Sequence, residues 1–184
     1  MKKINAVLSL ITILLLLLHA GNMSYMYLTM NYIEGLVSFT SGSVIIATFI
    51  HSILGMISVF LNADGTRLDM YPKLNRATVI QRISAALILP LVFVHVKTFG
   101  LMQEAASSGK MTVVFILMVL EVLLFATVTA HVSVSLSRAL ITLGILKSRE
   151  LQKKIDRVCW VIGGIVFVTA SFAVIRTQLI MFAG

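Results

Sequence analysis

The sequence predicts an all-α integral membrane protein, a single membrane domain over residues 1–184 that is built as a bundle of five transmembrane helices. Hydrophobic residues make up 59% of the chain and charged residues only 12%, whereas soluble domains are about half apolar. The mean hydropathy of +1.02 excludes a water-soluble fold. The basic residues fall between the apolar stretches, which indicates membrane topology and argues against a nucleic-acid partner.

Each predicted helix is an apolar stretch long enough to cross the hydrocarbon core, which takes about 20 residues. The fourth stretch is the longest, so we expect its end, from about Arg138, to leave the hydrocarbon as a helical extension. Turn-forming and polar residues predict loops at 31–35, 62–79, 103–110 and 147–157. The helices are predicted at about 5–29, 36–61, 80–102, 111–145 and 158–182.

The basic residues predict how the bundle is oriented. With the N-terminus inside, twelve of the 15 Lys and Arg residues lie in inner loops or at inner helix ends, and only Lys97, Lys110 and Arg176 lie toward the outside. This positive-inside bias predicts a cytoplasmic N-terminus and an external C-terminus. The start of the chain also has features of a signal peptide, but its apolar character continues to Leu28, further than such a peptide needs.

The four histidines are the main candidate functional residues, because each lies in a different one of the first four predicted helices. An ionisable residue inside a membrane helix is costly and usually functional, although a single histidine often only hydrogen-bonds a neighbouring helix. At about 1.5 Å per residue, His19 and His95 are predicted at one height in the outer half of the membrane. His51 and His131 are predicted at a second height in the inner half.

Two pairs of facing imidazoles at two depths are what two six-coordinate haems require. Bis-histidine ligation fills both axial positions, which suits electron transfer rather than oxygen binding. The chain has one cysteine, Cys159, so it has neither a thiolate cluster set nor a C-x-x-C-H site for covalent haem. A zinc or non-haem iron site fits less well, because such sites draw several ligands, often carboxylates, to one point.

With these residues the chain resembles a family, the single-chain dihaem cytochrome b anchors of succinate:menaquinone and menaquinol:fumarate oxidoreductases. The best match is the segment 130–140, in which Arg138 follows His131 by seven residues and Gly144 comes shortly afterwards. A histidine in each of the first four helices and a fifth helix after a basic loop extend the resemblance to nearly the whole chain. Further matching segments are 80–86, which leads to 94–96, and 49–51.

The resemblance implies two haem b groups, an inner one held by His51 and His131 and an outer one held by His19 and His95. This is the pairing that depth also gives. The resemblance further implies that Arg138 faces a propionate of the inner haem, although a basic residue at this helix end is equally typical of a positive-inside anchor.

The resemblance also implies a function, that of a non-catalytic electron-transfer subunit in the bacterial cytoplasmic membrane. Menaquinone or menaquinol would be its substrate, and a flavoprotein subunit and an iron–sulfur subunit on the cytoplasmic face would perform the dicarboxylate chemistry. The basic inner loops suit that docking surface and suit lipid headgroups equally well. Two alternatives stay open: a cytochrome b anchor of a hydrogenase or formate dehydrogenase, and a haem-free transporter or assembly protein with structural histidines.

Three further positions bear on proton chemistry. Glu34 precedes the second helix on the outer side, where the family has a carboxylate proposed to take the proton from quinol; a solvated loop residue is the plain alternative. Glu121 lies inside the fourth helix, where an unpaired charge is costly, so we expect it to be protonated or to belong to a proton path. Thr129 stands where the dihaem fumarate reductases carry a Glu, so proton compensation through this position is not predicted.

Overall fold

The computed structural model describes residues 2–62 and 72–182 of the chain. Over these residues it has helices and no strand, and each helix is long and apolar enough to cross a membrane. The helical form follows from the apolar composition, because within hydrocarbon every backbone N–H and C=O group needs a partner in its own segment. The predicted all-helical fold with five candidate spans is confirmed. The helices are α1 (Lys2–Thr29), α2 (Glu34–Asn62), α3 (Pro72–Ser107), α4 (Met111–Thr142) and α5 (Arg149–Phe182).

Helices α3 and α5 extend well beyond their apolar stretches, and the predicted loops were wrong to that extent. Helix α3 begins at Pro72 and ends at Ser107, and α5 begins at Arg149, so much of the loops predicted at 62–79, 103–110 and 147–157 is helical. Hydropathy locates only the part of a helix that lies in hydrocarbon, whereas polar residues continue the same helix into the interface. Residues 63–71 of the second predicted loop lie outside the described part of the chain.

Helix α4 ends at Thr142, three residues before the predicted end at 145. Gly144 has a φ of +76°, a left-handed conformation that suits glycine and stops the helix. The N–H of Ile145 donates to the carbonyl of Leu140 at 3.0 Å, which closes the last turn. The chain therefore turns sharply between α4 and α5.

The contacts between helices show which of the first four helices are neighbours in the bundle. Within the described residues, the closest packing joins α3 to α4, α4 to α5 and α1 to α2, and α1 also lies against α4 and α5. Helices α2 and α3 are not among the closely packed pairs of this part of the chain. Helices α1 to α4 therefore form a four-sided arrangement with one open side, in which α1 is diagonally opposite α3 and α2 is diagonally opposite α4.

Small and polar residues hold α5 against the bundle. A Cβ atom added to Gly163 would lie 3.0 Å from Cγ2 of Thr129 and 3.2 Å from Oγ of Ser133, so α4 and α5 approach closely at this glycine. The hydroxyl of Thr177 donates to the backbone carbonyl of Tyr27 at 2.8 Å, which ties α5 to α1. Helix α5 therefore covers the α1 and α4 side of the arrangement.

The outer surface of the helices is apolar. Phe93 is 73% exposed, and Val119 and Val168 are also largely exposed, while small polar side chains such as Ser133 and Thr177 are buried between helices. Such a surface would be costly in water and is at no disadvantage against lipid tails. The distribution of side chains thus agrees with the length and hydropathy of the helices.

Candidate functional site

The four histidines meet as two pairs inside the arrangement of α1 to α4. The ring centres of His19 on α1 and His95 on α3 are 6.3 Å apart. Those of His51 on α2 and His131 on α4 are 6.5 Å apart. Each pair joins diagonally opposite helices, and all four side chains are half-buried. The structure thus brings together the histidines that depth along the helices had matched.

The spacing within each pair fits two imidazoles that ligate one metal ion from opposite sides. A metal–nitrogen bond of about 2.0 Å, with about 1.1 Å from nitrogen to ring centre, places the two centres about 6.2 Å apart. A direct hydrogen bond of about 2.9 Å between the rings would bring the centres to about 5.1 Å. The observed distances of 6.3 and 6.5 Å match the first arrangement and not the second.

The tautomer of His131 is set by its neighbours on α3. Its Nδ1 atom lies 3.1 Å from the backbone carbonyl oxygen of Gln81 and 3.0 Å from Oγ of Ser84. The Ser84 hydroxyl donates its own proton to the carbonyl of Ile80 at 2.7 Å. Because a carbonyl only accepts, Nδ1 of His131 carries the hydrogen and donates it, which leaves the Nε2 lone pair for a metal.

His95 is held from α4 by a carboxylate and an aromatic ring. Its Nδ1 atom lies 2.7 Å from Oε2 of Glu121, within hydrogen-bond distance. The ring of Phe125, one turn further along α4, meets the imidazole edge-on at 6.4 Å between centres. Glu121 is only 3% exposed. The sequence placed Glu121 inside the membrane and missed its partner, although matching heights on the antiparallel helices α3 and α4 would have suggested it.

The other two histidines have weaker Nδ1 partners. Oγ of Ser41 lies 3.5 Å from Nδ1 of His19, and the buried Nδ1 of His51 has no hydrogen-bond partner within the described residues. In that same part of the chain, none of the four Nε2 atoms has a hydrogen bond. Each histidine therefore keeps its Nε2 atom available for coordination.

A cavity of about 230 Å³ lies beside His51, at the end of the bundle where α1 begins and α4 ends. Two cationic side chains, Lys2 and Arg138, contribute to its wall. Nη1 of Arg138 donates to the side-chain oxygen of Gln81 at 2.7 Å, so Gln81 links this guanidinium to His131. Such a wall suits an anionic group. The other polar lining residues are Asn5, Ser9, Ser58, Gln81, Ser135 and Thr142.

The structure leaves other candidate residues apart from the histidine pairs. Glu34 is the first residue of α2 and is exposed. Thr129 packs against the position of Gly163 on α5. No role for Gln81 or Ser84 was predicted, because the contacts of these residues depend on the rotation of α3 about its axis.

At each histidine pair, the atoms that could ligate a metal ion are imidazole nitrogens alone. Among the described residues, no three His, Cys, Asp or Glu side chains converge as a metal site. Two imidazoles at each pair would be able to hold a haem, whose porphyrin would supply the other nitrogen ligands to the iron. Comparisons with protein-family models, with curated proteins and with solved structures give no match to this chain.

Proposed function

We propose that this chain is a dihaem membrane cytochrome b, the anchor subunit of a succinate dehydrogenase or quinol:fumarate reductase complex. In that role it carries electrons between menaquinone and the flavoprotein and iron–sulfur subunits on the cytoplasmic face. The observation that carries the proposal is the two histidine pairs, with ring centres 6.3 and 6.5 Å apart on diagonally opposite helices. A bound haem b supplies reversible one-electron transfer at the iron.

The proposed ligands are His51 and His131 for the inner haem and His19 and His95 for the outer haem. In the proposed complex the Nδ1–H groups of His131 and His95 are donated to partners on the neighbouring helix, which restrains each ring and leaves its Nε2 atom for the iron. Ser84, which contacts His131, stands eleven residues before His95 on α3, a rise of about 16 Å. The two pairs therefore divide the membrane thickness into shorter electron-transfer steps.

The cavity beside His51 supports an inner haem with its carboxylates toward the cytoplasm. Arg138 and Lys2 in the cavity wall would neutralise two propionate groups, and Gln81 holds the guanidinium of Arg138 in place. The positive-inside bias supports a cytoplasmic position for this end of the bundle, and we propose an N-terminus inside and a C-terminus outside a bacterial cytoplasmic membrane. The basic residues at this end offer a docking surface for the soluble subunits.

The opposite end of the bundle is the proposed quinone side. Glu34 opens α2 at this end and is exposed, so its carboxylate is accessible to exchange protons with a quinone at the membrane boundary. His19 and His95 form the pair nearer to this end of the helices. Electron exchange with quinone would therefore occur through the outer pair, and electron exchange with the soluble subunits through the inner pair.

The test of the partner enzyme is to purify the chain from its native membrane in mild detergent. The preparation is assayed for copurifying flavin and for its visible spectrum after addition of succinate, of formate or of hydrogen. The proposal expects flavin in the preparation and reduction of b-type haem by succinate alone. Reduction by formate or hydrogen would assign the anchor to another quinone-linked oxidoreductase, and a colourless preparation would assign the chain to the haem-free transporters or assembly proteins.

A further inference from the structure

The two histidine pairs differ in the acceptor that each Nδ1–H group meets. His131 donates to two neutral acceptors, the carbonyl of Gln81 and the hydroxyl of Ser84. In the tautomer that leaves Nε2 for a metal ion, His95 donates to Oε2 of Glu121 at the shorter distance of 2.7 Å, and we take Glu121 as the carboxylate that this donor stabilises. A charge-assisted hydrogen bond is roughly twice as strong as a neutral one and draws the shared proton away from the imidazole.

We propose that Glu121 is a positioning residue for the outer haem, which orients His95 and lowers the reduction potential of the haem that His95 ligates. The inference rests on the proposed function, since it assumes haem at this pair. It adds a role for a residue on a helix that supplies no ligand to the outer pair.

The burial of Glu121 makes the effect strong and local. The side chain is 3% exposed, so its field at His95 is screened far less than a surface charge would be. Its other oxygen, Oε1, is buried without a hydrogen-bond partner within the described residues, so its hydrogen bonding to this part of the chain is through His95. A more basic imidazole stabilises the ferric over the ferrous iron, which lowers the potential.

The same face of α4 also fixes the ring. Glu121 and Phe125 are four residues apart and therefore neighbours on one helix face. Glu121 holds Nδ1, and Phe125 meets the ring edge-on. Helices α3 and α4 are closely packed, so these two contacts from α4 restrain the orientation of the His95 ring.

The test is a redox titration of both haems in the purified complex of the native protein and of Glu121→Gln, which keeps the size and an acceptor oxygen but removes the charge. Glu104→Gln is the matched control, because Glu104 is an exposed carboxylate on α3 toward the same side of the membrane. A His95→Ala variant identifies the outer haem by its absence. We expect Glu121→Gln to keep both haems and to raise the reduction potential of the outer haem alone. We expect Glu104→Gln to change the potential of neither haem.

If the potential of the outer haem is unchanged in Glu121→Gln, or if both haems rise equally, the inference about Glu121 is wrong. Two haems per chain would still support the proposed function in either case. A chain without haem overturns both. The native protein provides a second measurement if Glu121→Gln does not accumulate. The near-infrared charge-transfer band of a ferric bis-histidine haem depends on ligand donation, so we expect two resolved bands, and a single shared band contradicts the inference.

Discussion

Gln81 on α3 contacts both Arg138 and His131 on α4, through two different groups. Its side-chain oxygen accepts from Nη1 of Arg138 at 2.7 Å, and its backbone carbonyl accepts from Nδ1 of His131 at 3.1 Å. One residue thus positions a proposed haem ligand and the cation that lies beside it in the cavity. The two contacts are separable by mutation, because a side-chain substitution leaves the carbonyl in place.

Arg138→Gln is expected to weaken binding of the inner haem by roughly tenfold or more, because it removes a cation from the cavity wall. Gln81→Leu is expected to weaken it less, since the carbonyl still holds His131 while Arg138 loses one partner. The measurement is the amount of haem per chain after purification and washing in detergent. Arg176→Gln, an exposed cation on α5, is the control. Equal haem loss in this control and in Arg138→Gln would show that the cavity beside His51 has no specific role in haem binding.

Gly163→Leu is expected to destabilise the bundle by about 1–3 kcal/mol, because even a Cβ atom at this position meets Thr129 at 3.0 Å. Gly164→Leu is the matched control, since a Cβ atom there meets nothing within 4 Å. Thermal unfolding in detergent, followed by circular dichroism, compares the two variants. If Gly164→Leu lowered the midpoint as much as Gly163→Leu, the close approach of α4 and α5 would be wrong.

Thr177→Val is expected to cost about 0.6–1 kcal/mol of stability, the usual contribution of one hydrogen bond between membrane helices. Thr177 is 1% exposed and its hydroxyl donates to the carbonyl of Tyr27, and valine keeps its shape without the donor. The midpoint of denaturation in mixed detergent micelles measures the effect. Thr169→Val, at an exposed position on the same helix, provides the reference. A Thr177→Val midpoint equal to that of the reference would mean that this bond contributes nothing.

The proposed orientation is tested with reporter fusions. Alkaline phosphatase, which is active only outside the cytoplasm, is expected to be active when fused after Gly184 and inactive when fused after Lys147. Green fluorescent protein is expected to give the opposite pattern. The reason is the excess of Lys and Arg at one end of the helices. Reversed patterns would place the cavity beside His51 on the outside and exclude docking of cytoplasmic subunits there.

The number of helices and the pairing of histidines could be predicted because both depend on distances along the chain. Apolar length gives the spans, and the rise per residue with alternating helix directions puts His19 level with His95 and His51 level with His131. Helix ends were less predictable: α3 and α5 continue into polar sequence, where the hydropathy falls but the helix does not stop.

The contacts of Glu121, Gln81 and Ser84 could not be predicted, because they depend on the rotation of each helix about its axis and on which helices are neighbours. In a soluble helix the apolar face reveals that rotation. Here the lipid-facing and inward-facing sides are both largely apolar, so the pattern of hydrophobic residues carries little of this information. The sequence offered no reason for Thr129 at the position where the dihaem fumarate reductases carry a Glu. In the structure this side chain packs against the Gly163 position.

The haem content of the purified chain shows whether the two histidine pairs hold haem. The reduced-minus-oxidised visible spectrum and the pyridine haemochrome give the number of b haems per chain in the native protein, in His51→Ala and in His95→Ala. We expect two haems in the native protein and the loss of a different one in each variant, since the two histidines belong to separate pairs. A colourless native protein, or one haem lost equally in both variants, would contradict this expectation.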